Sequence, residues 1–329
     1  MLKHECTCNN SSIHLETPER LKVIWSRLDS AGLVDECELV TSKMASISDL
    51  ILCHNEQYAL IFGTEKELRP KLPKEYLQVY IMNVCLAKCR GFALTYDQDN
   101  SWNEDFTPTA CRIAIGSSYE LAKLIYHGKL KNGFALVRPP GSHAEINRPL
   151  GFCYFNTIAI VAKMLKKNLM LERILIVDWD VHHGNGTQQM TYNDPNIMYI
   201  SLHRHDGGSF FPGTGPVTEC GEEEATGTNV NIAWNGNLQP PMGDVEYLAA
   251  FRSCVMPIAK AFRPQIVLVS CGFDGTESHS KELGGYKLTP TCFGYMTRKL
   301  MTLADGKCLL VLEGGYNLES LADCSEQCM

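Results

Sequence analysis

The sequence has no apolar run long enough to span a bilayer, no low-complexity tract and no repeat of fixed period. Its first residues, Met1–Cys6, lack the apolar core of a signal peptide. The net charge of -7 provides no general attraction to nucleic acid or to anionic membranes. We therefore expect a globular protein whose partners are neither nucleic acid nor membrane.

A disulfide framework is also not indicated. The 15 cysteines are an odd number, and they are scattered through apparent strands and helices. Without a secretory signal, we interpret them as reduced thiols in the cytosol or nucleus, with a few near the N-terminus as candidate metal ligands. A chain of 329 residues buries a large core without such crosslinks.

What the chain does have is an alternation of short apolar runs with helical patterns, beginning near residue 130. Such an alternation predicts a single α/β domain with a central parallel sheet flanked by helices. Ligands bind such sheets at the carboxyl ends of the strands, where this sequence places its unusual polar residues. The predicted strands are 133–137, 173–177, 197–202, 265–270 and 307–312, and the main predicted helices are 110–127, 156–167 and 244–262.

The most informative stretch follows the 173–177 strand. Residues two apart in an extended chain face the same way, so Asp178, Asp180 and His182 share a side. Crowded carboxylates need a compensating cation, and oxygen and nitrogen ligands suit Zn²⁺ or another first-row divalent ion. Asp274, after the 265–270 strand, would be a third ligand. A polar loop with structural aspartates, and a helix cap at Asp274, are the alternatives for each motif taken alone.

Two further residues are candidates for proton transfer and charge stabilisation. His143 follows a rigid Pro-Pro-Gly turn, which suits a fixed general base, although an isolated loop histidine is usually only solvated. Tyr316 follows two glycines and could donate to a developing oxyanion, or could simply close the core. Each motif is weak alone and gains weight from the predicted metal site.

These residues belong to motifs that resemble class II zinc-dependent histone deacetylases, along essentially the whole chain. The N-terminal Met-Leu-Lys-His-x-Cys-Thr-Cys is similar to class IIa catalytic domains in particular. The other motifs are Arg-Pro-Pro-Gly-x-His-Ala-Glu at 138–145, Gly-Phe-Cys-Tyr-Phe-Asn at 151–156, Asp-Trp-Asp-Val-His-His-Gly-Asn-Gly-Thr at 178–187, Ser-Leu-His-Arg at 201–204, Phe-Phe-Pro-Gly at 210–213, Pro-Pro-Met-Gly-Asp at 240–244 and Leu-Glu-Gly-Gly-Tyr at 312–316.

The resemblance implies the arginase–deacetylase α/β fold, one catalytic domain over 1–329 and an N-terminal zinc-binding loop at about 1–20. It implies zinc-dependent hydrolysis of N-acetyl-lysine amides in histones and other proteins, and transcriptional repression in the nucleus with shuttling to the cytoplasm. The implied partners are acetylated histone tails, other acetyl-lysine proteins, corepressor complexes and transcription factors.

Residue by residue, the resemblance makes Asp180, His182 and Asp274 the ligands of the catalytic zinc. It assigns His143 as general base and acid and Tyr316 as the group that polarises the acetyl carbonyl. The implied acetyl-lysine channel comprises Gly151, Phe152 and Phe211, with Asp97 or Asp99 near its rim.

Two more cation sites are implied. A structural zinc would be held by Cys6, Cys8, His14 and Cys89, with Cys85 as a competitor for the last position, and incidental cysteines remain the alternative. A monovalent cation, commonly potassium, would be held partly through backbone oxygens; the matching positions are Asp178, Asp180, His182, Ser201 and Leu202.

The sequence departs from the family at three points. Ser142 replaces the first of two histidines after Pro-Pro-Gly, which favours reduced turnover. Tyr316 stands where vertebrate class IIa members usually carry histidine, which favours activity. The chain is also shorter after Tyr316 than family domains, as a fragment or short isoform would be. Two rivals remain: a weakly active or inactive acetyl-lysine reader and corepressor scaffold, and an arginase-like or acetylpolyamine hydrolase.

Overall fold

The computed structural model describes residues 1–6, 14–68 and 100–329. Six parallel strands form one sheet in the order β1-β6-β5-β2-β3-β4. This arrangement confirms the predicted single α/β domain with a central parallel sheet. The strands are β1 (Asn132–Ala135), β2 (Ile174–Asp178), β3 (Ile197–Arg204), β4 (Asn229–Trp234), β5 (Ile266–Cys271) and β6 (Cys308–Leu312).

Helices surround this sheet, and among the described residues none is long and apolar enough to cross a membrane. The α-helices are α1 (Glu19–Ser30), α2 (Ile47–Leu50), α3 (Glu56–Gly63), α4 (Thr107–Tyr126), α5 (Thr157–Leu169), α6 (Asn185–Thr191), α7 (Asp244–Ala250), α8 (Met256–Phe262), α9 (Pro290–Leu300) and α10 (Leu318–Cys328).

Strand β2 shows how the sheet divides the core. Leu175 and Val177 pack into one apolar cluster together with α1, α9 and α10. Ile174 and Ile176, which alternate with them, pack on the opposite face against α4 and α5. Both faces of the strand are therefore buried, which explains why its sequence is a continuous apolar run without polar alternation.

Two elements differ from the prediction. The expected helix over 244–262 contains a π-helical turn at Phe251–Val255, just before Pro257, whose missing N–H breaks the regular helical ladder. Strand β4 was not predicted, because it lies at the sheet edge and carries Asn229 and Asn231. Their side-chain amides both donate to Gln188 Oε1 at 2.9 Å. Because these polar residues occupy buried positions of the strand, its sequence lacks the apolar run that would have predicted it.

The register brings the carboxyl ends of the central strands level. Asp178, the last residue of β2, pairs with Ser201 on one side and with Ser270 on the other. On the next strand pair, Cys271 at the end of β5 lies opposite Leu312 at the end of β6. The polar segments that follow these strands therefore leave the sheet at one edge, as the sequence predicts.

Candidate metal centre and active site

Asp180, His182 and Asp274 come together beyond the ends of β2 and β5. One potential ligand atom from each lies within 4.8 Å of those of the other two, and all three residues are buried. His182 Nδ1 lies 3.2 Å from Asp180 Oδ1 and 3.0 Å from Asp274 Oδ2. In the part of the chain that the structure describes, this is the single cluster of three or more such groups close enough to share an ion. An oxygen–nitrogen–oxygen donor set leaves a fourth position open, as catalytic zinc sites do.

The electrostatics of this cluster fit a cation. Burial and the neighbouring Asp274 raise the pKa of Asp180. Burial opposes a charged imidazole at His182, but Asp274 and Asp180 outweigh it and raise the pKa of His182. The two buried carboxylates thus favour a positive charge between them. A divalent ion would supply that charge and leave His182 neutral, as a metal ligand must be.

Main-chain groups fix the two carboxylates. Val181 N donates to Asp274 Oδ1 at 3.0 Å, and Gly314 N donates to Asp180 Oδ2 at 3.1 Å. A Cβ at Gly314 would collide with both carboxylates, so this close approach of the backbone requires glycine. The structure therefore requires glycine at the first glycine position of the Glu-Gly-Gly-Tyr motif.

His143 lies beside the cluster, with its ring centroid 6.0 Å from that of His182. Its Nδ1 is 2.9 Å from Asn185 Oδ1, and the Asn185 amide nitrogen donates to Glu145 Oε1 at 2.9 Å. Because the Asn185 oxygen must then accept, the proton of His143 sits on Nδ1 and Nε2 carries the lone pair. Burial, followed by the charge of His182, lowers the pKa of His143 to about 4, so the imidazole is neutral near pH 7, as a general base requires.

The turn that carries His143 is held by a buried carboxylate. Glu313 is 1% exposed, and its Oε2 accepts hydrogen bonds from Gly141 N at 2.8 Å and Ser142 N at 3.2 Å. Burial raises the pKa of Glu313 to about 7. Since Glu313 lies three residues before Tyr316, one side chain links the two segments that carry the candidate catalytic groups.

The aromatic residues of the predicted channel contact both candidate catalytic residues. Phe211 packs edge-on against His143, with ring centroids 5.1 Å apart, and Phe152 packs against Tyr316 at 5.2 Å. Gly151 has φ +51°, and a Cβ there would lie 2.7 Å from His143 Cδ2. Burial raises the pKa of Tyr316 well above its usual value, so its phenol keeps a proton to donate.

The residues matched to a monovalent-cation site also lie close together. Asp178 and Ser201 are direct neighbours across β2 and β3, and Leu202 follows Ser201 in the buried strand. Asp178 Oδ2 accepts from the Tyr199 hydroxyl at 2.8 Å, and Asp178 Oδ1 accepts from Asp180 N at 3.1 Å. Binding of an ion there stays a prediction.

The proposed structural zinc site is covered only in part. Cys8, Cys89 and the competitor Cys85 lie outside the described residues, as do Asp97 and Asp99. Of the remaining two ligands, Cys6 is partly exposed and His14 Nδ1 lies 3.0 Å from Ser101 Oγ. The assignment of this second zinc therefore stays a prediction.

Sequence reasoning missed several polar residues around the site. Asn185 orients His143, Tyr199 binds Asp178, and Glu313 holds the Ser142 turn. Asn185 and Glu313 both lie inside motifs already singled out, so their presence there was an available signal. Tyr199 lies within an apolar strand, where an aromatic residue is ordinary and carries no such signal.

Comparison with known proteins identifies the family. The histone deacetylase domain model matches residues 14–329. Human histone deacetylase 9 is 50% identical over 334 residues, covering 100% of this chain and 32% of the relative. Human histone deacetylase 7 is 49% identical over 331 residues, covering 100% of this chain and 35% of the relative. The chain therefore spans about a third of the length of these curated relatives.

A solved structure agrees with the sequence matches. The crystal structure of the HDA15 HD domain superposes with a TM-score of 0.83 at 36% identity, covering 96% of this chain and 83% of that one. The two human relatives are class IIa members, so the resemblance predicted from the motifs is confirmed. On the strength of the domain match and these relatives, this chain belongs to the histone deacetylase family.

Proposed function

We propose that this chain is a zinc-dependent protein lysine deacetylase that hydrolyses N-acetyl-lysine amides in histones and other proteins. One observation carries the proposal: a buried Asp180/His182/Asp274 cluster lies beside a neutral imidazole, His143. Family membership supports the reaction class, and it argues against an arginase-like or acetylpolyamine hydrolase.

Zinc held by Asp180, His182 and Asp274 would supply Lewis acidity toward a carbonyl and toward water. The chain's own groups then move the protons. His143 Nε2 accepts a proton from the attacking water, and the resulting imidazolium returns one to the leaving lysine amine. The hydroxyl of Tyr316 donates to the acetyl oxygen as negative charge develops there.

The aromatic rings give the site its substrate class. Phe152 and Phe211 each contact one of the two proton-handling residues, so an apolar stem reaching the cluster passes beside them. The four methylenes of a lysine side chain match such a passage, and acetylation removes the charge whose desolvation there would be costly. An uncharged acetyl-lysine is therefore a better occupant than free lysine.

The wider proposals follow from resemblance. We expect transcriptional repression in the nucleus, with shuttling to the cytoplasm, and partners among acetylated histone tails, corepressor complexes and transcription factors. The second zinc at Cys6, Cys8, His14 and Cys89 and a potassium ion near Asp178 belong to the same set of proposals.

A second candidate is a weakly active acetyl-lysine reader that serves as a corepressor scaffold. Ser142 favours it, because serine cannot carry the positive charge that the usual histidine brings beside the site. The Asp178 carboxylate is instead bound by uncharged groups, the Tyr199 hydroxyl and the Asp180 amide. The reader and the deacetylase differ in turnover and share the same binding site.

A direct assay separates them. Purified protein is incubated with peptides bearing acetyl-lysine or trifluoroacetyl-lysine, and the products are measured by mass spectrometry. We expect hydrolysis of both peptides, arrest by a chelator and recovery on adding zinc. Saturable binding of the acetyl-lysine peptide without hydrolysis of either peptide would overturn the deacetylase assignment in favour of the reader.

A further inference from the structure

A buried histidine outside the metal cluster contacts the segment that carries Tyr316. His279 is 8% exposed, and its Nε2 lies 2.9 Å from Tyr316 N and 3.2 Å from Asn317 N. A peptide N–H can only donate, so Nε2 must be the acceptor and the ring proton must sit on Nδ1. The contacts alone therefore fix the tautomer of this imidazole.

The other side of the ring is anchored to the segment that carries a predicted zinc ligand. His279 Nδ1 lies 2.9 Å from Thr276 Oγ1, which in turn lies 3.1 Å from Phe273 O. With the tautomer fixed, Nδ1 donates to the threonine hydroxyl and the hydroxyl donates to the carbonyl. A continuous chain of hydrogen bonds thus runs from the residue before Asp274 to the main chain of Tyr316.

Tyr316 needs anchors outside its own segment because the two glycines that precede it do not restrict the main chain to one conformation. It follows Gly314 and Gly315, and Gly315 has φ +109°, a conformation that side-chain-bearing residues rarely adopt. The imidazole of His279 also packs edge-on against the phenol ring, with centroids 6.4 Å apart. Main chain and side chain of Tyr316 therefore meet the same buried residue.

We propose that His279 is a positioning residue, which holds the hydroxyl of Tyr316 at the acetyl oxygen by accepting the Tyr316 and Asn317 amides. This inference rests on the proposed function, because Tyr316 is assigned a role only there. In this proposal His279 is neither a ligand of the metal nor in contact with the substrate. Its effect must therefore pass through Tyr316.

Two substitutions of similar polarity separate the acceptor from the mere presence of a polar side chain. In His279→Gln the amide oxygen reaches the position of Nε2 and still accepts the two amides. In His279→Asn the amide reaches only the position of Nδ1, so the two amides lose their acceptor. We expect His279→Asn to lower kcat by at least about tenfold, and by no more than the roughly 10²–10³ lost with a whole oxyanion donor. The kcat of His279→Gln should stay within about threefold of that of the parent chain.

A double-mutant cycle with Tyr316→Phe tests whether the effect passes through the hydroxyl. In the Tyr316→Phe background, His279→Asn should change kcat by less than about twofold, because no hydroxyl remains to misplace. The matched control is His54→Asn. His54 is also a buried histidine whose Nε2 accepts a main-chain amide, Asn156 N at 3.0 Å, and its fold-effect should be equal in both backgrounds.

Binding of a trifluoromethyl ketone analogue of acetyl-lysine provides a readout besides turnover, because its hydrated form mimics the tetrahedral geometry. His279→Asn should weaken this binding in the Tyr316 chain and leave it unchanged in Tyr316→Phe. Equal losses in both backgrounds, or an affinity unaffected by His279→Asn, would overturn the proposal. A parent chain inactive on every peptide would instead overturn the proposed function, and His279 would then be judged on ketone affinity alone.

Discussion

The segments that carry the two candidate catalytic residues, His143 and Tyr316, are held differently. On one side, His143 follows a proline turn and its ring is oriented by Asn185, from the motif that also contributes His182. On the other side, Tyr316 follows two glycines and is held from outside its own segment, by His279 and by Arg20, which donates to Gly315 O at 2.8 Å. His143 is thus oriented from the motif that contributes two of the predicted metal ligands, and Glu313 holds its turn. The segment of Tyr316 is held instead by His279 and Arg20, which lie outside that motif.

The two sides also carry the two departures from the family. We expect Ser142 to weaken the side of the base, where the family usually has histidine, and Tyr316 to strengthen the side of the phenol, where vertebrate class IIa members usually carry histidine. Glu313 spans the two, because its carboxylate holds the Ser142 turn while its own segment leads to Tyr316. Under the proposed function, turnover should therefore depend on which of the two residues, His143 or Tyr316, limits the reaction.

Loss of the metal should have the largest effect, because neither His143 nor Tyr316 can support the reaction without it. Asp274→Ala removes one of three ligands and leaves Asp180 and His182 without the full donor set. We expect loss of tight zinc binding at this site and loss of activity, measured by elemental analysis and peptide hydrolysis. Asp35→Ala, an exposed carboxylate, is the matched control. Parental zinc content and turnover in Asp274→Ala would show that the ligand assignment is wrong.

On the phenol side, Tyr316→Phe removes a donor that acts as charge develops on the oxygen. The expected loss in kcat is about 10²–10³, with binding of a hydroxamate inhibitor comparatively intact. Tyr295→Phe, at a partly exposed tyrosine on α9, provides the control. An unchanged kcat in Tyr316→Phe would mean that this tyrosine only closes the core.

On the base side, Ser142→His restores the histidine usual in the family. We expect turnover to rise by about 10², the lower end of the range for general acid–base groups. The pH–rate profile should shift as well, because Asp178 gains a titrating partner. The same turnover and profile as the parent would show that this histidine is dispensable here. Loss of activity would show that the pocket has repacked around serine.

The smallest effect on chemistry is expected at the N-terminal metal. The double variant Asp180→Ala/Asp274→Ala should still retain one zinc per chain, because the predicted ligands of the second zinc are four other residues, Cys6, Cys8, His14 and Cys89. Cys8→Ser should loosen the pocket rim before it unfolds the sheet, which differential hydrogen exchange would detect. Absence of zinc from the double variant would rule out the second site.

Much of the fold and the metal cluster could be predicted because local spacing encodes them. Apolar runs announce buried strands, and Asp180 and His182 lie two apart at the end of one of them. Strand β4 escaped prediction because its buried asparagines, Asn229 and Asn231, both donate to Gln188 and interrupt the apolar pattern that would indicate a strand. The anchors His279 and Glu313 escaped for a related reason. Their partners lie 37 and 172 residues away, and no local pattern records such pairs.

The central claim is that Asp180, His182 and Asp274 hold the zinc that supports turnover. Anomalous diffraction at the zinc edge, from crystals of the active chain with a bound hydroxamate, tests it most directly. The account predicts a zinc ion in contact with all three side chains and with the bound hydroxamate. An active chain with no zinc between these three residues would contradict it.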